Sequence, residues 1–429
     1  MGAALESSDD LVWVNTRSPE FLISCKRSSR YFRKGTHVSR SSEANGLRVA
    51  LVGCGYWGSK HARVLQSMER VAEVVLVDSR EDRLQNLAQT YKTARCSPAL
   101  RPVLPYVDAV VVATPPRMHV DVALAAIQAG KHVLVEKPLA PTSAGARALV
   151  SEAAMQGVVL MVGHTFEYNP AVRKLRDLVQ SQELGELYYI DSARLNLGLY
   201  QNDVNVIFDL APHDISIINY VLGRKPVAAA AWACRHAHQK FEDVAYLRMF
   251  YDDNFVDCGM SANIHVSWLD PCKVRRVTAV GSKKMAVYDD LASDEQIRVL
   301  DKGVSLPSVG GDLTQPPMSY RYGDIVVPFV SPEEPLGLQD RHFIDCIERG
   351  ARPLTDGENG LAVVEALEAA ELSRRLGRPV LLEEVGSDDR FARLRGSYND
   401  HNGSFHAAPR PLQPVAASGP SRSLMRPEA

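Results

Sequence analysis

Two groups of residues have the types and spacing to do chemistry. The first is Gly53-Cys-Gly-Tyr-Trp-Gly58, directly after the apolar run Leu47-Arg-Val-Ala-Leu-Val52, with Asp78 lying 20 residues beyond Gly58. Strand, G-x-G-x-x-G, helix, strand and acid make up a dinucleotide-binding βαβ unit. Gly53 permits the tight turn, Gly55 lets a pyrophosphate approach the backbone, and Gly58 lets helix and strand pack closely. The pyrophosphate then faces the unpaired N–H groups at the helix start, with Tyr56 and Trp57 beside it. Asp78 suits the hydroxyls of an adenosine ribose and repels a 2′-phosphate, so NAD is expected over NADP, with the neighbouring Arg80 arguing the other way.

The second group is Glu136-Lys137-Pro138 together with Asp209-Leu-Ala-Pro-His213. Oxidising a carbinol carbon by hydride loss needs a group of near-neutral pKa to take the hydroxyl proton. His213 is the leading base. Asp209, one helical turn earlier, is placed to orient the imidazole, and the adjacent Asp214 is the alternative orienting acid. The Lys137 ammonium suits a developing alkoxide, and a partly desolvated lysine is a second candidate for the base. Either residue alone would read as a surface lysine or an ordinary helix histidine. Arg194 and Asn196, two apart on one strand face, suit a sugar or phosphate.

These residues need a frame. A helix is expected from Trp57 to about Met68, strands over 72–78, 107–113 and 132–136, and a helix over 118–129. Strands alternating with helices give a doubly wound parallel sheet, with ligands bound beyond the carboxyl ends of the strands, where Gly53, Thr114 and Glu136-Lys137-Pro138 fall. From Gly185 the pattern changes to strands at 186–196, 226–234, 242–251, 254–264, 273–281 and 284–289. A helix over 203–222 interrupts them, and a long loop at 304–334 leads to helices at 337–349 and 357–376. The fold class is therefore α/β: a doubly wound parallel sheet, then an α+β domain with a large, mostly antiparallel sheet. The expected domains are a cofactor domain over 47–165 and a substrate domain over 166–385.

The 429 residues are 45% hydrophobic and 23% charged, with a net charge of −2, which removes the simple case for a nucleic-acid or anionic-membrane binder. No apolar run reaches the length of a bilayer span. The seven cysteines form no C-x-x-C pair, so no disulfide framework or metal site is expected, and a reducing cytoplasm is. Residues 1–46 read as a disordered basic extension and 386–429 as a disordered, proline-rich tail.

With these motifs in view, the chain resembles the Gfo/Idh/MocA oxidoreductases over about 47–385, including Ala129-Gly-Lys-His132, Arg341-His-Phe-Ile-Asp-Cys346 and Pro353-Leu-Thr-Asp356. The resemblance implies an N-terminal Rossmann domain, a C-terminal domain whose open sheet often mediates homo-oligomerisation, and oxidation of a secondary alcohol on a sugar or cyclitol. It places Lys137 and His213 at the site, makes Pro138 a cis proline, and sets Thr114, Pro115 and His119 beside the nicotinamide ribose. His119 reads equally as a cap or a packing residue. Tyr168 and Asn169 of Gly163-His-Thr-Phe-Glu-Tyr-Asn-Pro170 are expected to reach the substrate pocket. Where many members carry a glycine triplet, this chain has Asp203-Val-Asn-Val-Ile-Phe208. That segment, with Arg194-Leu-Asn-Leu-Gly198, Asn205 and Asp209-Leu-Ala-Pro-His-Asp214, resembles a bacterial UDP-sugar 3-dehydrogenase subgroup. The implied substrate is a nucleotide sugar, with Asn205 and Asp214 among the residues expected to contact it, and the implied pathway partner a pyridoxal-phosphate aminotransferase in 3-amino-sugar biosynthesis, antibiotic pathways included. A free cyclitol or monosaccharide dehydrogenase is the alternative. A non-catalytic NAD-sensing regulator is a remoter one, because such proteins lack the lysine corresponding to Lys137.

Overall fold

The computed structural model describes residues 46–385 except 92–93, 199, 202–203, 238, 253–258 and 306–318. The basic extension up to Asn45, the proline-rich tail and Asp203 lie outside the described residues; the helix expected from Asp203 begins instead at Val206, because Asn205 is extended and serves as its N-cap.

The first half alternates strand and helix: β1 (Leu47–Val52), α1 (Tyr56–Gln66), β2 (Val71–Val77), α2 (Glu81–Thr90), β3 (Arg95–Ser97), β4 (Ala109–Val112), α3 (His119–Gln128), β5 (His132–Glu136), α4 (Ser143–Gln156) and β6 (Leu160–Gly163). The six strands form one parallel sheet in the order β3-β2-β1-β4-β5-β6. Its strands are almost continuously Val, Leu and Ala because both faces are covered, and β4 is fully buried along its length. The chain reverses direction across the sheet between β1 and β4, which opens a crevice at their carboxyl ends.

The second half runs α5 (Pro170–Gln180), β7 (Leu187–Leu197), α6 (Val206–Leu222), β8 (Ala228–Cys234), β9 (Val244–Phe250), β10 (Ser261–Ser267), β11 (Leu269–Gly281), β12 (Met285–Asp289), β13 (Ile297–Ser305), β14 (Ser319–Val326), α7 (Pro335–Arg349), α8 (Gly357–Leu376) and β15 (Val380–Leu381). Nine strands form an open sheet ordered β14-β13-β12-β11-β7-β10-β9-β8-β15. Every pair is antiparallel except β7 with β10. Helix α6 lies against the inner face and is buried nearly all round, while Trp232 and Tyr246 stand exposed on the outer face.

Two strand expectations need correction. β10 covers Ser261–Ser267 instead of 254–264, whose opening residues fall outside the described residues. The loop expected at 304–334 contains the end of β13 and all of β14. The described side chains of β14 are nearly all exposed, so it lacks the alternation of buried and exposed residues by which a strand is recognised. β13 also shifts register between Leu300 and Lys302.

The last two helices return to the first sheet. Phe343 and Ile344 of α7 join Ala62, Leu65 and Met161 in one core, and Leu361 and Val364 of α8 join Val133 and Val162 in the other. The Val162 N–H donates to the Thr355 carbonyl at 2.7 Å, so the segment before α8 pairs with β6 at the edge of the sheet.

Candidate active site

The glycine loop has the geometry of a phosphate cradle. Gly53 has φ +96°, and a Cβ there would lie 2.6 Å from the Ala113 carbonyl oxygen. A Cβ on Gly58 would fall 1.8 Å from the Gly53 oxygen, whereas over Gly55 the nearest atom is Arg83 Nη1 at 3.8 Å. The loop is thus closed on its protein side and open above Gly55, where α1 begins. Tyr56 and Trp57 are exposed at that mouth, their rings edge-to-face at 5.5 Å.

Asp78 ends β2 nearly buried, and its oxygens accept the backbone N–H groups of Cys54 and Arg80, each at 2.8 Å. The Arg80 guanidinium turns to Asp82 instead, at 2.6 and 3.1 Å. Arg83 Nη1 lies 3.8 Å from the Asp78 carboxylate, so an acid and a guanidinium stand together at the end of β2. Thr114, after β4, keeps a buried hydroxyl with no partner among the described residues. Its carbonyl lies 2.8 Å from His119 Nε2, and the Pro138 carbonyl lies 2.8 Å from His119 Nδ1. His119 is fully buried, and burial pulls its pKa down against the pull of those carbonyls. It ties the loop after β4, which includes Pro115, to the loop after β5. An open cradle, an acid at the end of β2 and an unpartnered threonine hydroxyl fit a bound NAD.

Lys137 reaches from the end of β5 to helix α6. The Lys137–Pro138 peptide is cis. The lysine Nζ donates to the Asp209 backbone carbonyl at 2.9 Å and lies 3.8 Å from the Asp209 carboxylate. His213, one turn further along α6, is half-buried, and its ring meets Phe166 edge-on at 5.1 Å. Burial first, then the charges of Lys137 and Arg194, push its pKa well below the ordinary histidine value. The imidazole is therefore neutral at physiological pH, with Nδ1 unpartnered among the described residues.

Neither acid orients that imidazole, contrary to the sequence expectation. Trp268 is fully buried and its indole N–H needs an acceptor, which the Asp209 carboxylate provides at 3.0 Å. Asp214 accepts from Ser192 Oγ at 2.7 Å and Arg194 Nε at 2.8 Å. Arg194 is consequently committed inside the fold, its guanidinium 4.7 Å above the Phe166 ring. Asn196, on the same face of β7, retains a buried carbonyl oxygen with no partner among the described residues.

Three expected substrate residues are instead structural. Tyr168 is wholly buried with its hydroxyl 3.2 Å from Thr355 Oγ1. Asn169 caps α5 through the Ala171 N–H at 2.8 Å and donates to the Tyr288 hydroxyl at 3.1 Å. Asn205 caps α6 through the Phe208 N–H at 3.1 Å. Each satisfies backbone groups or a core hydroxyl, which removes it from the pocket wall.

Several partners were not anticipated. Glu136 is buried and takes His61 as its partner, at 3.0 Å, instead of facing a cofactor. His164 has Nδ1 2.6 Å from Asn359 Oδ1 and 3.5 Å from Glu167, and its Nε2 is buried and unpartnered among the described residues. His164 is also among the neighbours that depress the His213 pKa. Burial raises the Glu167 pKa despite His164 and Asn359. A signal existed for His61: it stands among Gly58, Ala62 and Leu65 on the buried stripe of α1, where a histidine needs a partner.

Residues 47–164 match an oxidoreductase family with an NAD-binding Rossmann fold, and residues 172–287 match the GFO/IDH/MocA C-terminal domain. The chain is 26% identical over 355 residues to D-apiose dehydrogenase of Paraburkholderia graminis, spanning 80% of this chain and 91% of that one. It is 32% identical over 186 residues to UDP-N-acetylglucosamine 3-dehydrogenase of Acidithiobacillus ferrooxidans, spanning 43% of this chain and 57% of that one. The crystal structure of GenD2 from gentamicin A biosynthesis, in complex with NAD, superposes with a TM-score of 0.65 at 27% identity, covering 82% of this chain and 99% of that one.

Proposed function

From the premise that the chain belongs to the Gfo/Idh/MocA family of NAD-binding oxidoreductases, we propose that it oxidises a secondary hydroxyl, at C3, of a UDP-hexose of the glucose, N-acetylglucosamine or uronate type. The observation that carries the chemistry is the meeting of a Lys137 ammonium held on the Asp209 carbonyl with a neutral His213 on the same helix. Bound NAD supplies the hydride acceptor. His213 takes the hydroxyl proton: its depressed pKa keeps the ring unprotonated at physiological pH but also makes it a weaker base than a free imidazole, so the reaction relies on Lys137 to acidify the hydroxyl. The remaining N–H groups of Lys137 hydrogen-bond the same oxygen and stabilise its developing negative charge. Asp209 balances the lysine's charge at 3.8 Å and, through Trp268, is fixed to the second sheet.

The C3-oxidised nucleotide sugar rests on similarity to the Acidithiobacillus enzyme. A pyridoxal-phosphate aminotransferase in 3-amino-sugar biosynthesis is then the natural consumer of the ketone, in the cytoplasm, with copies of this chain associating through the open sheet face. A free monosaccharide or cyclitol substrate is the second reading, favoured by similarity across 91% of the D-apiose enzyme. The test is incubation with NAD and UDP-glucose, UDP-N-acetylglucosamine, its uronate, D-apiose and myo-inositol, with a ketone trap to draw the equilibrium forward. A 3-keto product from a UDP-sugar, with inhibition by UDP, is expected. Turnover of free sugars alone, unaffected by UDP, would overturn the nucleotide-sugar reading.

A further inference from the structure

We infer that His61 and Asp340 are positioning residues for the reaction: with Glu136 they form a buried carboxylate–imidazole–carboxylate clamp that sets the direction of Lys137. The inference rests on the role proposed above for Lys137.

The clamp joins three distant parts of the chain. His61 on α1 has Nε2 at 3.0 Å from Glu136 Oε1, at the end of β5, and Nδ1 at 2.9 Å from Asp340 Oδ2, on α7. The His61 and Asp340 side chains are completely buried. Glu136 Oε2 accepts the Lys137 backbone N–H at 3.1 Å, so the carboxylate grips the peptide that bears the lysine. On the far side, Asp340 Oδ1 accepts from Gln339 Nε2 at 3.3 Å, and Gln339 Oε1 accepts from Thr165 Oγ1 at 2.7 Å. The wall opposite Glu136 is bare backbone, since a Cβ on Gly163 would fall 3.0 Å from the Glu136 carboxyl carbon.

An imidazole with a carboxylate on each nitrogen is satisfied only when both nitrogens carry protons. Burial alone would lower the His61 pKa, but the charge and hydrogen bond of Asp340, followed by those of Glu136, raise it to about 10. Burial likewise pushes Glu136 up, yet His61 and Lys137 hold it below its ordinary value. Two carboxylates around one imidazolium leave one net negative charge, placed beside Lys137. Buried ion groups of this kind rarely stabilise a fold more than well-packed apolar side chains would, so their value here is directional. The alignment matters because the Lys137 Nζ must reach the Asp209 carbonyl, and small displacements of a catalytic group are costly.

The test is Asp340→Asn in the full chain, with Lys137→Gln beside it. The expected result for Asp340→Asn is a fall in kcat on the order of 10–100-fold with NAD affinity nearly unchanged. A new alkaline limb in kcat is expected as well. The charged groups facing the His61 ring are Glu136 from β5 and Asp340 from α7, with Lys137 beyond Glu136, so the variant leaves only Glu136 to hold the second proton. Unchanged kcat with an unchanged pH profile would overturn the clamp. So would equal losses of kcat, NAD affinity and melting temperature, which mark a purely structural role. Should Asp340→Asn not fold, ¹⁵N spectra of histidine-labelled native protein decide: both His61 nitrogens protonated at roughly pH 8 supports the clamp, and a singly protonated ring overturns it. Near-normal activity of Lys137→Gln overturns the role of Lys137 itself, whereas an inactive Lys137→Gln with a fully active Asp340→Asn overturns the clamp alone.

Discussion

The two sheets solve opposite problems. The six-stranded sheet is parallel, buried on both faces, and presents its ligand with backbone: the glycine loop, the start of α1 and the turns after β4 and β5. The nine-stranded sheet is mostly antiparallel and open on one face, and the proposed site uses its side chains: Asn196 from β7 and His213 from the helix the sheet carries, with Arg194 and Trp268 holding the acids of that helix in place. Backbone recognition suits a cofactor that is the same in many enzymes. Side-chain recognition suits a substrate that differs, because side chains change without disturbing the ladder beneath them.

That division of labour can be broken at the seam. Lys137 comes from the first sheet and His213 from the second, so Lys137→Ala and His213→Ala should each lower kcat about 10²–10⁴-fold while NAD titrations stay near native. A loss of NAD affinity as large as the loss of kcat would place the residue with the cofactor instead. Next in size is Phe343→Ala on α7, which should cost about 3–5 kcal/mol in denaturant unfolding although it lies some 180 residues beyond the first sheet. Asp78→Ser should remove about 1.5–3 kcal/mol of charged hydrogen bonding and raise NADP use relative to NAD in steady-state kinetics. An unaltered cofactor ratio would show that Asp78 serves only the loop. The smallest effect is on stability against pH. The His61 pKa is raised from 6.5 to about 10, so its contribution is complete below about 6.5 and lost as pH rises through 10. Melting temperature should decline across that window, and less steeply in Asp340→Asn.

The same contrast explains what the sequence disclosed. β1, β2, β4 and β5 are short apolar runs with turns beside them, and the glycines, Asp78 and Lys137 follow at fixed short distances, so the cofactor half was legible. On the other side the candidate residues were recognisable but their partners were not. Asp209 sits four residues before His213, a spacing that suggests a pair, yet the buried Trp268 claims its carboxylate from 59 positions away. Tyr168 and Asn169 lie in a promising segment, but Thr355 and Tyr288 draw them into the core. β14 escaped notice because its side chains are exposed on both faces. Long-range pairing is set by tertiary packing, on which local periodicity is silent.

The return of α7 and the segment before α8 to the first sheet governs how the protein can be made. A ribosome delivers the amino end first, and β1 to β6 are complete by Gly163. Their hydrophobic layer then lacks Phe343 and Ile344, and the edge of β6 lacks Thr355 and Asp356, until every strand of the second sheet but β15 has been synthesised. During that interval the nascent cofactor half presents a bare apolar surface and an unpaired strand edge, the surface a chaperone would shield. The NAD site is accordingly among the first parts to be written and among the last to be finished.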